Sequence, residues 1–214
     1  MSQVKGLCVM DVDGTLILEE VIDLLGREAA CEEEISQITS RAMRGELDFE
    51  SSLRKRVSLL EGLPVSVFDT VFNSIHLAPN AQKFISILQK NGIQVGLVSG
   101  GFTPIVERLA KSLDIAYFSA NQLEVKDGFL TGQLVGEIVT GQVKQATLEI
   151  WRKELELSKE RTIAIGDGAN DLLMLKSAGH GIAFCAKEVV KAEIACHVDT
   201  RDLLEVLPWI DFLE

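Results

Sequence analysis

The chain has 214 residues, of which 47% are hydrophobic and 25% charged, and a formal net charge of −11. This is the composition of a globular chain long enough to bury its own core, not of a disordered segment or a disulfide-stapled miniprotein. The negative field excludes a broad nucleic-acid or anionic-membrane interface, so an anionic ligand must be met by local positive charge.

Taken from the N-terminus, Gly6 to Met10 reads as a buried strand that runs into Asp11-Val12-Asp13-Gly14-Thr15. The stretch from Ile17 to Leu77 contains no clear buried strand. It shows four helical faces instead, built on Val21, Leu24 and Leu25; on Ile35, Ile38 and Ala42; on Leu53, Val57 and Leu60; and on Val67, Phe68 and Val71. It is acidic, with 12 acidic and 6 basic side chains. A helix with Ala81, Phe84, Ile85 and Leu88 on one face follows, closed by Asn91-Gly92. Next come a strand at Ile93 to Val98, Ser99-Gly100-Gly101, and a helix after Pro104.

Leu123 to Leu130 breaks the rhythm, because Asp127-Gly128 between alternating runs predicts a β-hairpin at the sheet edge. A helical pattern through Val143, Ala146 and Ile150 leads to strands at Thr162 to Ile165, Gly181 to Phe184 and Ala195 to Val198. Alternating strands and helices predict an α/β fold with a Rossmann-like parallel sheet core, a small inserted helical cap and an edge β-hairpin. The expected domains are a core of residues 1–16 and 78–214 and a cap of residues 17–77.

Cys8, Cys31, Cys185 and Cys196 form no Cys-x-x-Cys pair, as expected of unpaired thiols in a reducing compartment. The apolar run before Asp11 is too short for a secretion signal, and no apolar stretch approaches the roughly 18 residues of a membrane helix. A cytoplasmic setting is expected.

Three of the apolar strands end in polar residues: Asp11 and Asp13, Ser99 to Gly101, and Gly166-Asp167-Gly168-Ala169-Asn170-Asp171. Open parallel sheets bind ligands at the carboxyl ends of their strands, so these distant segments can converge. Asp11, Asp13 and Asp167 together would repel one another unless a proton or cation lay between them, and three carboxylates with backbone oxygens suit Mg²⁺. The Ser99 segment fits either a phosphate at a helix N-terminus or a plain helix cap. Lys144 is not selected by its spacing. Neither a dinucleotide-binding glycine motif nor a P-loop is present, and His76, His180 and His197 have no ligand spacing.

As a set, Asp11-Val12-Asp13-Gly14-Thr15, Ser99, Lys144 and Gly166-Asp167 through Asp171 resemble the four signature motifs of the haloacid dehalogenase superfamily of phosphotransferases. Glu19 to Asp23, Ser52 to Val57, Val98 to Phe102 and Ala183 to Lys187 are similar to the branch that hydrolyses a phosphorylated amino acid. The resemblance implies a catalytic pair, with Asp11 as nucleophile and Asp13 as general acid and base. It implies Mg²⁺ on Asp11, the Asp13 carbonyl and Asp167. It further implies phosphoryl binding by Ser99, Gly100 and Lys144, with Asn170 ordering phosphate and metal and Asp171 in support. In the cap, Glu20 would meet a substrate ammonium and Arg56 its carboxylate, while Met43 and Phe49 close over the substrate. The expected partner is a small phosphomonoester, with no nucleic acid and no membrane, bound by a monomer or homodimer. Another small phosphomonoester, or transfer to an acceptor other than water, stays open at this point.

Overall fold

The structure is a computed structural model that describes residues 4–43 and 46–210, the side chain of Met43 excepted. Its frame is a sheet of β1 (Gly6–Met10), β2 (Ile93–Phe102), β3 (Tyr117–Lys126), β4 (Phe129–Val135), β5 (Thr162–Gly166), β6 (His180–Phe184) and β7 (Cys196–Val198). The order is β4-β3-β2-β1-β5-β6-β7, parallel throughout except for the antiparallel β3–β4 hairpin at one edge. β1 is central, pairing Cys8 with Val95 on one side and with Ile163 on the other.

Every residue of β1 and β5 is buried. Such strands are covered on both faces, which is why they read as unbroken apolar runs without alternation. Cys8 and Met10 face a core shared with Phe84 and Ile105, whereas Leu7 and Val9 face a second core with Leu148 and Met174. Helices α5 (Ala81–Lys90) and α6 (Thr103–Ser112) supply the first core, and α7 (Gly141–Glu154) and α8 (Leu172–Ser177) the second. A short α9 (Glu188–Lys191) follows β6.

Between β1 and β2 lie α1 (Val21–Glu28), α2 (Glu32–Met43), α3 (Phe49–Ser58) and α4 (Val67–Asn73), at the four helical faces of the sequence. The chain leaves and re-enters the sheet layer side by side. Ile17 bridges Leu77, the Ala78 N–H donates to Leu16 O at 2.8 Å, and the Leu18 N–H donates to His76 O at 3.0 Å. The segment after α3 is also stitched to the outer edge of β4. The Gly62 N–H donates to Leu130 O at 2.9 Å, the Leu130 N–H to Leu63 O at 2.8 Å, and the Val65 N–H to Gly128 O at 2.9 Å. These bonds occupy backbone groups of an edge strand that would otherwise invite pairing with another chain.

Two elements run beyond their sequence-predicted limits. β2 continues through the glycines to Phe102, and β3 begins at Tyr117, six residues before the expected hairpin strand. Tyr117 to Ala120 are all half-buried and show no alternation, so no period-2 signal marks them. No helix among the described residues is long and apolar enough to cross a membrane.

The seam between α3 and β4 yields a test. Gly132 has φ +75°, and a Cβ there would lie 3.1 Å from Ser58 O. Gly132→Val is expected to cost about 1–3 kcal/mol through crowding and backbone strain, read as a lower urea midpoint at unchanged slope.

Candidate active site

The carboxyl ends of β1, β2 and β5 open into a cavity of about 1330 Å³. Asp11, Asp13, Gly100, Asp167 and Asn170 line it, together with Glu20, just ahead of α1, and Phe49 and Arg56 of α3. Asp11 directly follows β1. Its N–H donates to Ile165 O at 2.9 Å, and its Oδ1 accepts the Val12 N–H at 2.8 Å, so both the backbone and the carboxylate are fixed.

Behind the cavity wall lies Lys144, with no solvent exposure at all. Its Nζ is 2.7 Å from Asp11 Oδ1 and 2.7 Å from Asp171 Oδ1. Asp171 is equally buried, and its Oδ2 accepts the Gly168 N–H at 3.0 Å. Helix α7 delivers the ammonium. Thr140 caps its start, accepting the Val143 N–H, and places Lys144 in the first turn.

Asp11, Asp167 and Asp171 offer oxygens that all lie within 4.8 Å of one another. Thr15 Oγ donates to Asp167 Oδ1 at 3.4 Å. Ser99 is fully buried, and its Oγ accepts the Gly101 N–H at 2.8 Å. It does not cap α6, which begins after Phe102. The glycine at 101 has a steric reason: a Cβ there would sit 2.7 Å from Asp13 Oδ2 and 2.9 Å from Ser99 Oγ. Phe49 reaches from α3 to the other side of the cavity, its ring tip 3.4 Å from where a Gly100 Cβ would stand.

A family model for haloacid dehalogenase-like hydrolases matches residues 8–176. The chain belongs to the haloacid dehalogenase-like hydrolases. Proteins named phosphoserine phosphatase from Streptococcus thermophilus and Methanocaldococcus jannaschii are 54% and 43% identical to this hydrolase. The matches cover 99% and 98% of this chain and 98% and 100% of those proteins. A solved substrate-bound phosphoserine phosphatase complex superposes with a TM-score of 0.92 at 43% identity, over 97% of this chain and 99% of the other. A phospho-aspartyl intermediate analogue of phosphoserine phosphatase superposes with a TM-score of 0.91 at the same identity.

The electrostatics of this hydrolase's site follow from a shortage of positive charge. Three carboxylates share one buried ammonium. Burial opposes the charge on Lys144, but Asp11 and Asp171 outweigh it and hold the ammonium protonated well above the ordinary lysine range. Burial, then Asp171, push the Asp11 carboxyl up, because Lys144 cannot neutralise all of its neighbours. Asp167 is raised by burial and by Asp171, with Lys187 and Lys144 pulling the other way. Burial and Glu20 push Asp13 up to about 8, and its Oδ1 is buried without a hydrogen-bond partner. A cluster in which carboxyl groups outnumber the one ammonium, with an orphaned buried oxygen beside it, fits a hard divalent cation.

All the described residues singled out in the sequence fall at or behind this cavity. Ser99 and Lys144 lie behind its surface, and the Met43 side chain lies outside the described residues. Glu20 is open to the cavity yet enclosed enough that burial raises its carboxyl, with Arg56 among the charges that lower it. Arg56 is half-buried, and its Nε donates to Ser52 O at 3.4 Å. Among the cavity residues, Asp23 and Lys187 close segments marked in the sequence without a role assigned to them. Asp23 follows Glu20 by three residues on α1, and Arg56 lowers its carboxyl against the rise caused by burial; the i, i+3 spacing was the available signal. Lys187 follows β6 and donates its backbone N–H to Asp167 O at 3.0 Å. Asp171, expected only as support, proves to be the second anchor of Lys144.

Lys144→Met would leave two buried carboxylates facing each other. It is expected to destabilise the fold by about 3–5 kcal/mol, visible as a lowered thermal midpoint. Gly101→Ala should fold but lose at least about tenfold in kcat/KM, because its Cβ displaces Asp13. An unchanged rate in that variant would remove Asp13 from the reacting centre.

Proposed function

We propose that this hydrolase converts O-phospho-L-serine and water to L-serine and phosphate through an aspartyl phosphate, the last step of serine biosynthesis. One observation carries the reading. The buried Asp11–Lys144 pair stands at a cavity whose lining from residues 17–77 includes the cation Arg56 among the acids Glu20, Asp23, Asp48 and Glu50. The near-full-length relatives named phosphoserine phosphatase support it.

In this reading Asp11 Oδ attacks phosphorus and the serine oxygen leaves. Asp13, protonated near neutral pH, gives that oxygen its proton. The deprotonated Asp13 then takes a proton from water as the water attacks the aspartyl phosphate, and Asp11 is regenerated. Ser99, the Gly100 backbone and Lys144 hold the phosphoryl oxygens, and Asn170 orders them. Asp11, the Asp13 carbonyl and Asp167 would hold Mg²⁺, which when bound neutralises charge between carboxylate and phosphate dianion. Glu20 and Arg56 clamp the substrate ammonium and carboxylate, since opposite charges at fixed spacing select a zwitterion. Met43 and Phe49 close over it. Residues 17–77 act as a cap on a core of residues 1–16 and 78–214. The chain works as a monomer or homodimer, without nucleic acid or membrane, in the cytoplasm, in keeping with its four free thiols.

Phosphate release from L-phosphoserine, phosphothreonine, a hexose phosphate and an aryl phosphate, each with Mg²⁺ and with EDTA, tests this. Turnover should favour phosphoserine and vanish with EDTA. Asp11→Asn should abolish it. Arg56→Ala should raise the phosphoserine KM by about tenfold or more, for a lost charge-assisted bidentate contact, and leave aryl phosphate hydrolysis within about twofold. An unchanged phosphoserine KM would overturn the clamp.

A further inference from the structure

Asn121 is buried to 1% exposure on β3, beside the phosphate-binding segment but outside its motifs. The β2–β3 register explains its position. Ser99 pairs with Ala120, but the next pair is Phe102 with Asn121, so Gly100 and Gly101 bulge out of the ladder. A bulge leaves backbone groups without ladder partners, and buried ones must find others. The Asn121 side chain supplies one. Its Nδ2 donates to Gly100 O at 2.8 Å. Its Oδ1 accepts the Val139 N–H at 2.8 Å, immediately ahead of Thr140, the cap of the helix that carries Lys144. The two partners fix the orientation of the amide, since a flipped Asn121 would set oxygen against oxygen and N–H against N–H. Thr103 Oγ, at the start of α6, further ties this strand down by donating to Ala120 O and Asn121 O, at 3.2 and 3.1 Å.

We infer that Asn121 is a positioning residue that locks the Gly100 bulge to the start of the Lys144 helix, so that the two phosphate-binding elements keep one spacing. The inference rests on the proposed reading that Gly100 and Lys144 hold the phosphoryl group. Asn121 touches neither the cavity nor the clamp residues, so its effect belongs to phosphate and not to the amino-acid end of the substrate. A side chain that donates to one element and accepts from the other can do this. Asp cannot, because it keeps the Val139 contact but turns an oxygen toward Gly100 O. Leu keeps neither bond.

The test measures inhibition by inorganic phosphate and by L-serine, together with phosphoserine kinetics, in the wild-type chain, Asn121→Asp and Asn121→Leu, all with Mg²⁺. Loss of a buried hydrogen bond should weaken phosphate by about tenfold and lower kcat/KM at least as much, while L-serine inhibition stays within about twofold. Unchanged phosphate inhibition, or equal losses for phosphate and serine, would overturn the inference. Should neither variant fold, the wild-type chain carries the test. Phosphate should slow hydrogen exchange at the Gly101 and Val139 amides together, and an unmoved Val139 overturns the brace. A wild-type chain that binds phosphate but does not hydrolyse phosphoserine would refute the proposed function and leave the inference standing.

Discussion

A lysine ammonium with no access to water sits between two carboxylates, and the rest of the site is arranged around it. Charges of that kind are tolerated only when their partners and their remaining hydrogen bonds are in place. Here Asp171 has its other oxygen on the Gly168 N–H, and Asp11 has the Val12 N–H. The loop after β5 and the loop after β1 are therefore joined through one cation carried by a third element, α7. None of the three can shift without stranding a charge in the interior. The same constraint sets the chemistry. Burial, and then the excess of carboxylates over one ammonium, raise the Asp11 and Asp167 carboxyls and make the cluster receptive to a cation.

The second constraint is steric. Phosphate-binding backbone has to lie close to the acids without a side chain in between, and β2 meets this by bulging at Gly100 and Gly101. The absent Cβ at 101 leaves room for the Asp13 carboxylate and the Ser99 hydroxyl. The fully buried β1 beside it supplies rigidity that such an arrangement requires, since a catalytic geometry is only as good as the frame that holds it.

Much of this was readable in the residues. The uninterrupted apolar runs of β1 and β5 predicted strands covered on both faces, and Asp127-Gly128 predicted the hairpin. The convergence of Asp11 and Asp167 followed from the parallel arrangement. Lys144 was not visible by spacing, because a helix presents its lysines to water far more often than to its interior, and only similarity to known motifs selected it. The first half of β3 escaped because its half-buried residues carry no periodicity. Asn121 escaped with it: a single polar residue becomes informative only when the bulge opposite it is seen.

The order of the strands bears on how the molecule comes into being. β1 is made first, yet its two neighbours are β2, which begins at Ile93, and β5, which begins at Thr162. During synthesis the most apolar strand must therefore wait, first for one flank and then for the other. Lys144, the cation shared by Asp11 and Asp171, gains its second partner only when the chain has grown past Asp171. A nascent chain arrested before that point holds exposed strand edges and an uncompensated acidic loop. Its partial core gains little until then, because long-range pairing costs loop-closure entropy before it returns any stability.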